Sequence, residues 1–134
     1  MLKVLAVFPL HIFSAIAYVI VAQTYGLAWF DQPMLTGTLP SGQPMTITGG
    51  DFAIIWAVLF LLIETIKASQ TDWISIANHG LSSMLFMAAF ALWLTIPMFG
   101  TSVWLIITAM MFCDMMAGWA VTAFSARRDF GIGG

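Results

Sequence analysis

The chain has 134 residues, of which 61% are hydrophobic and 7% are charged. A soluble domain carries about 25% charged residues, and a small globule leaves too much surface exposed to hide such an apolar excess, so the excess must face lipid or other protein. A net charge of -2 with four basic residues excludes a phosphate-binding surface and hence nucleic acid as a partner, and the single cysteine, Cys113, excludes an intramolecular disulfide or a multi-cysteine metal site.

The sequence predicts a single transmembrane domain over residues 1–134. It reads as an all-α membrane protein, an antiparallel four-transmembrane-helix bundle with both termini inside. The start, Met1-Leu2-Lys3 before an apolar run and Ala15-Ile16-Ala17, has the look of a cleavable signal peptide. Read as retained, it is the first transmembrane helix, over about residues 4–30, with no formal charge from Val4 to Phe30. A span needs about 20 residues, so this run suffices. Pro9 either opens the helix in its first turn or kinks a longer one. Tyr25, Trp29 and Phe30 mark its far end as an aromatic belt.

Residues 31–50 form the one sizeable loop, rich in Pro, Gly and Thr. Met34 to Leu39 and Pro44 to Thr48 flank a Pro40-Ser41-Gly42-Gln43 turn, which allows a small β-hairpin. The glycine and the two flanking prolines leave an irregular loop as the alternative. Asp51 is a suitable N-cap for a second helix over about 52–68. Ser69 to Asp72 makes a polar turn. The third helix covers about 73–97 and ends by Pro97. A short turn leads to the fourth, over about 102–126.

The basic residues are Lys3, Lys67, Arg127 and Arg128. With four helices all of them fall on one side, and the other side has Asp31 and Asp51. This charge split places both termini in the cytoplasm, and a multi-pass protein of a bacterial inner membrane is the expected setting.

Ionisable groups at membrane depth carry a functional hypothesis by default. Asp114 stands 13 residues beyond Thr101, and Glu64 stands 13 beyond Asp51. Each therefore lies about 20 Å from the external end, at one level on two helices. Asp114 has no basic residue close by on its own helix, so it is either protonated or met by another helix. Lys67, Asn78, His79 and Glu64 are the candidates. Its plain role is an interhelical hydrogen bond, and its functional role a proton or cation path. Lys67, three residues after Glu64, suits an ion pair on the helix surface and can draw Glu64 towards the headgroups.

His11 and His79 share a deeper level. Two imidazoles can hold a haem between helices, but interfacial histidines in a polar collar explain them more simply. The ten methionines, with Met111 and Met115 on one face, suit copper(I), yet methionine commonly fills apolar cores. No cofactor is therefore expected, neither haem nor copper, while a bound lipid is compatible with the composition.

Small residues four apart let helix backbones approach closely. Ala109, Cys113, Ala117 and Ala120 form such a stripe on the fourth helix, next to one with Asp114 and Gly118. Ala53 and Ala57 supply the stripe on the second helix, and Asn78 and Ser82 on the third.

The first helix lacks the acid that small multidrug exporters need. Cysteine pairs, which disulfide-generating membrane enzymes need, are missing too. No catalytic constellation is present. The expectation is a non-catalytic membrane protein that self-associates or serves as an accessory subunit of a larger complex. The alternatives are a small proton or cation channel using Asp114 with Glu64, and a bis-histidine haem anchor.

Overall fold

Proline and glycine delimit the first helix. The computed structural model describes residues 7–68 and 73–131. Helix α1 runs over His11–Tyr25. Pro9 lies just before it, its carbonyl accepting the first-turn N–H of Ile12 at 3.2 Å. Gly26 ends the helix at φ 78° and ψ 167°, a conformation that residues with a Cβ rarely adopt. The expected continuous helix to residue 30 is therefore corrected. Leu27–Asp31 forms a separate 3₁₀ turn after the break.

The loop contains the allowed hairpin, with β1 at Pro33–Thr38 and β2 at Pro44–Thr48. The strands pair antiparallel, Thr36 opposite Thr46 and Thr38 opposite Pro44, with an irregularity between Pro33 and Leu35. Both prolines stand at the first position of their strands, where a missing N–H disturbs the ladder least.

Helix α2, Gly49–Ala68, starts earlier than the expected residue 52. Asp51 is not its N-cap. Thr48 is, and the two side chains form a reciprocal capping box. Asp51 donates its backbone N–H to Thr48 Oγ1 (3.2 Å), and the Asp51 carboxylate accepts the Thr48 backbone N–H (2.8 Å) and hydroxyl (2.9 Å). The box ties the last residue of the hairpin to the first turn of α2. Thr48→Ala is expected to cost about 1 kcal/mol, measurable as an earlier thermal unfolding midpoint in detergent.

Helix α3, Trp73–Thr95, stops two residues short of Pro97. Ile96 is extended, as the residue before a proline prefers, and Pro97 opens a short 3₁₀ turn, Pro97–Phe99. Helix α4, Ser102–Gly131, is longer than the expected 102–126. Thr101 caps it, its Oγ1 accepting the backbone N–H of Trp104 at 3.1 Å.

Three helices, α2, α3 and α4, are long and apolar enough to cross a membrane, over Gly49–Lys67, Ile76–Thr95 and Ser102–Phe124. Only 22–28% of each span is buried within the chain, so most of their surface must be covered from outside. Lys3 and the turn at 69–72, both used to assign sidedness, lie outside the described residues, as do the side chains of Arg127 and Arg128.

Helix α4 is central, packing on both α2 and α3, while α1 lies on α2 and reaches α4. The apolar core gathers near the hairpin end. Tyr18 stacks on Phe30 (ring centroids 4.7 Å apart) and meets Trp104 at 4.9 Å, and Trp104 meets Phe99 at 4.4 Å. The Tyr18 hydroxyl donates to the Met98 carbonyl at 2.9 Å and lies 2.7 Å from Thr101 Oγ1. Tyr18→Phe is expected to cost about 1 kcal/mol through the lost hydrogen bonds, with helix content unchanged in circular dichroism.

Candidate functional site

A polar layer contributed by all four helices lies at the other end of the core. Its centre is Glu64, fully buried at 0% exposure. Oε1 accepts hydrogen bonds from the Lys67 ammonium (2.9 Å) and from the backbone N–H of Leu10, while Oε2 accepts from the Asn78 amide (3.2 Å). The Lys67 ammonium also donates to the Phe8 carbonyl at 2.8 Å.

Pro9 explains why those backbone groups are free. It lies between Phe8 and Leu10, just before α1, and Leu10 is an N-cap with no capping side chain of its own. The first N–H groups of a helix have no intrahelical acceptor and carry the positive end of its dipole. Glu64, on another helix, supplies the missing acceptor and the favourable charge. Lys67 takes the carbonyl on the other side of the proline. One ion pair on α2 thus clips both flanks of Pro9.

The expected ion pair of Lys67 with Glu64 is present, but not on the helix surface: the lysine, whose side chain is 20% exposed, reaches in to a carboxylate that is closed off from the surface. The acceptors at Phe8 and the donors at Leu10 and Asn78 make burial of the carboxylate affordable, since a buried charge is tolerated only when paired and hydrogen-bonded.

The remaining sequence candidates surround this centre. His11 on α1, His79 on α3 and Asp114 on α4 are all buried, and the charge of Glu64 acts on each of them. Asp114 also feels the charge of Lys67 and lies beside Ser82, although the Ser82 hydroxyl closes no well-formed hydrogen bond. Glu64 and Asp114 both face the interior, close enough for their charges to interact. Both histidines point into the interior of the chain. His79 is seated against α4, where a Cβ at Gly118 would run into its imidazole Nδ1. Gly118→Ala is expected to cost about 1–3 kcal/mol by overpacking, and His79→Ala in the same chain is expected to restore part of that loss in thermal unfolding.

Several polar atoms of the layer have no hydrogen-bond partner among the described residues: both ring nitrogens of His11, Nε2 of His79 and Oδ1 of Asn78. Buried polar atoms of this kind are ordinarily satisfied by ordered water or a ligand. Among the described residues no group of three His, Cys, Asp or Glu side chains is arranged to hold a metal ion.

The packing stripes divide. Ala57, Ser82 and Gly118 are buried and Ala53 is half-buried, all in helix contacts. Ala109, Cys113 and Ala120 are exposed on the outer face of α4, with Ala117 at its edge. That helix turns Trp104, Ile107, Thr108, Met111 and Asp114 inward instead. Thr108 and Asp114 would be costly against lipid, and they decide which stripe faces in. Of the methionines, Met111 fills the core, and Met84, Met87 and Met116 point outward.

Sequence reasoning missed the backbone of Phe8 and Leu10, and Ser14. The signal for the first was Pro9 itself, which leaves polar backbone groups open on either side. Ser14 is buried without a hydrogen-bond partner, and a single serine in an apolar helix gave no such warning.

No known protein family, no curated protein and no solved structure matches the chain.

Proposed function

We propose that this chain is a non-catalytic integral membrane protein that associates laterally, with copies of itself or as an accessory subunit of a larger membrane complex. The observation that supports the reading is the outward stripe of α4. Ala109 and Cys113 are four apart and exposed, and Ala120 extends the same face between Phe112, Met116 and Trp119. Small residues gain little against lipid chains but let two helix backbones approach closely.

The reading includes four crossings with both termini cytoplasmic, in a bacterial inner membrane. Helix α1, with 15 residues, is short. At 1.5 Å per residue it covers about 22 Å, so a crossing of a hydrocarbon core of about 30 Å needs residues before His11 or a locally thinner bilayer. The basic residues then all lie on one side.

Cys113 provides the test, because it is the chain's single cysteine and is exposed. Oxidation in native membranes is expected to give a disulfide-linked product, a homodimer or an adduct with a partner. Cys113→Ser should abolish it, and Ala109→Leu should weaken it. A monomer with no partner after purification in mild detergent, together with no cross-linked product, overturns the proposal.

A second reading is favoured by one observation, the unpartnered nitrogens of His11 and His79 around Glu64 and Asp114. Imidazole and carboxyl groups bridged by water can exchange protons, so the layer is a candidate proton path. Asp114→Asn should abolish proton flux in liposomes. Absence of flux in the unaltered protein at every pH tested would remove this reading.

A further inference from the structure

The two buried carboxylates of the polar layer differ in how their charge is met. Glu64 is neutralised by Lys67. Asp114, on α4, is 3% exposed, and among the described residues no lysine, arginine or histidine forms an ion pair with it. A buried charge needs a compensating one. With both histidines neutral, the layer is one positive charge short.

Helix α3 brings two neutral oxygens to this region. Ser82 lies beside Asp114. Asn78 stands one turn before Ser82 on the same face, where side chains four apart are neighbours. Both residues are 2% exposed. The Asn78 amide donates to Glu64 Oε2 at 3.2 Å, which fixes its orientation and turns Oδ1 away from that carboxylate. Neither Asn78 Oδ1 nor Ser82 Oγ has a hydrogen-bond partner among the described residues. Ser83, Thr108 and Thr122 all bond back to a carbonyl one turn earlier, as hydroxyls in helices ordinarily do. Ser82 departs from that pattern beside an unpaired carboxylate.

A proton on Asp114 would offer a single donor, whereas a cation meets all three oxygen groups at once. Oxygen ligands suit hard cations. Calcium and magnesium sites ordinarily gather more negative charge than one carboxylate. A carboxylate with neutral oxygens in a dry interior suits an alkali ion, whose water shell such oxygens replace.

We propose that Asp114, Ser82 and Asn78 form a binding site for one alkali cation between α3 and α4. The Asp114 carboxylate supplies the charge, and Asn78 Oδ1 and Ser82 Oγ supply neutral ligands. The proposal rests on neither lateral association nor proton flux, because a resident cation neutralises Asp114 without moving.

Radioactive sodium is titrated onto the purified full chain in detergent, with choline chloride holding the ionic strength constant. Saturable retention approaching one ion per chain is expected. Ser82→Ala should weaken it roughly tenfold, the effect of losing one ligand to a charged group, and Asp114→Asn should abolish it. The thermal unfolding midpoint should be higher in sodium or potassium chloride than in choline chloride. That difference should vanish in Asp114→Asn, whatever the midpoint itself. Where Asp114→Asn yields no folded chain by circular dichroism, Ser82→Ala decides alone. No saturable retention, equal midpoints in alkali and choline salts, or undiminished binding in Ser82→Ala would each overturn the proposal. Displacement by calcium chloride at lower concentration than by potassium chloride would overturn it too, in favour of a divalent site. Loss of proton flux in Asp114→Asn with no effect of sodium would keep the proton path and remove the cation site.

Discussion

Glu64→Ala is expected to destabilise the fold by about 3–5 kcal/mol, the usual effect of removing one partner from a buried ion pair. The loss has three parts that share one carboxylate. The Lys67 ammonium is left without its anion, the Asn78 amide loses its acceptor, and the Leu10 N–H at the start of α1 is uncapped. Glu64→Gln keeps an acceptor for one or two of these donors but removes the charge, and should fall between the two. The double change Glu64→Ala with Lys67→Met should recover part of the loss, because it removes the orphaned cation as well. Denaturation in detergent, followed by circular dichroism, measures all three. Amide exchange at the start of α1 should quicken in Glu64→Ala before exchange in α3 does. A change below about 0.5 kcal/mol, no larger than an ordinary surface substitution, would show that the clip does not hold α1 in place.

The clip also shows how much of the site could be read beforehand. Depth counting put Glu64 and Asp114 on one level, and a shared level is a property of helix rise that sequence carries directly. Burial on a helix face was harder. The stripe with Ala109 and Cys113 and the stripe with Asp114 and Gly118 both offer small side chains for close packing, and the former faces out. Periodicity is weak in helices that are apolar all round, since lipid and core both accept the same side chains. The polar residues break the tie, and they point to the interior. The hairpin was open to a two-way reading because its prolines count against a strand until their positions at the strand starts are known. The cap of α2 was misplaced because Thr48 belongs both to β2 and to the capping box. Gly26 ended α1 early for a reason of backbone conformation that composition does not carry. Ser14 could not be singled out at all, since its lack of a partner is a fact of three-dimensional placement.

Trp104→Ala is expected to cost about 3–5 kcal/mol, in the range for a fully buried aromatic side chain. Trp104 is buried to 1% exposure, packs at a tilt against Tyr18 and Phe99, and donates its indole N–H to the Ala89 carbonyl at 3.0 Å. Those three contacts join α1, the 3₁₀ turn and α3 to α4 at the hairpin end. Truncation would leave a cavity there and an Ala89 carbonyl without this donor. Trp104→Phe keeps most of the packing and should cost less, about 1–2 kcal/mol for the lost hydrogen bond and the smaller ring. The contrast with Glu64 lies in where the damage falls. Helix α1 is held at its start by charge and hydrogen bonds around Pro9, and at its midpoint by aromatic packing around Tyr18. Trp104→Ala should therefore quicken amide exchange from Tyr18 to Tyr25 and leave the Leu10 N–H protected, while Glu64→Ala should do the opposite. Exchange that rises uniformly along α1 in both variants would mean the two attachments are one cooperative unit rather than two separate clamps.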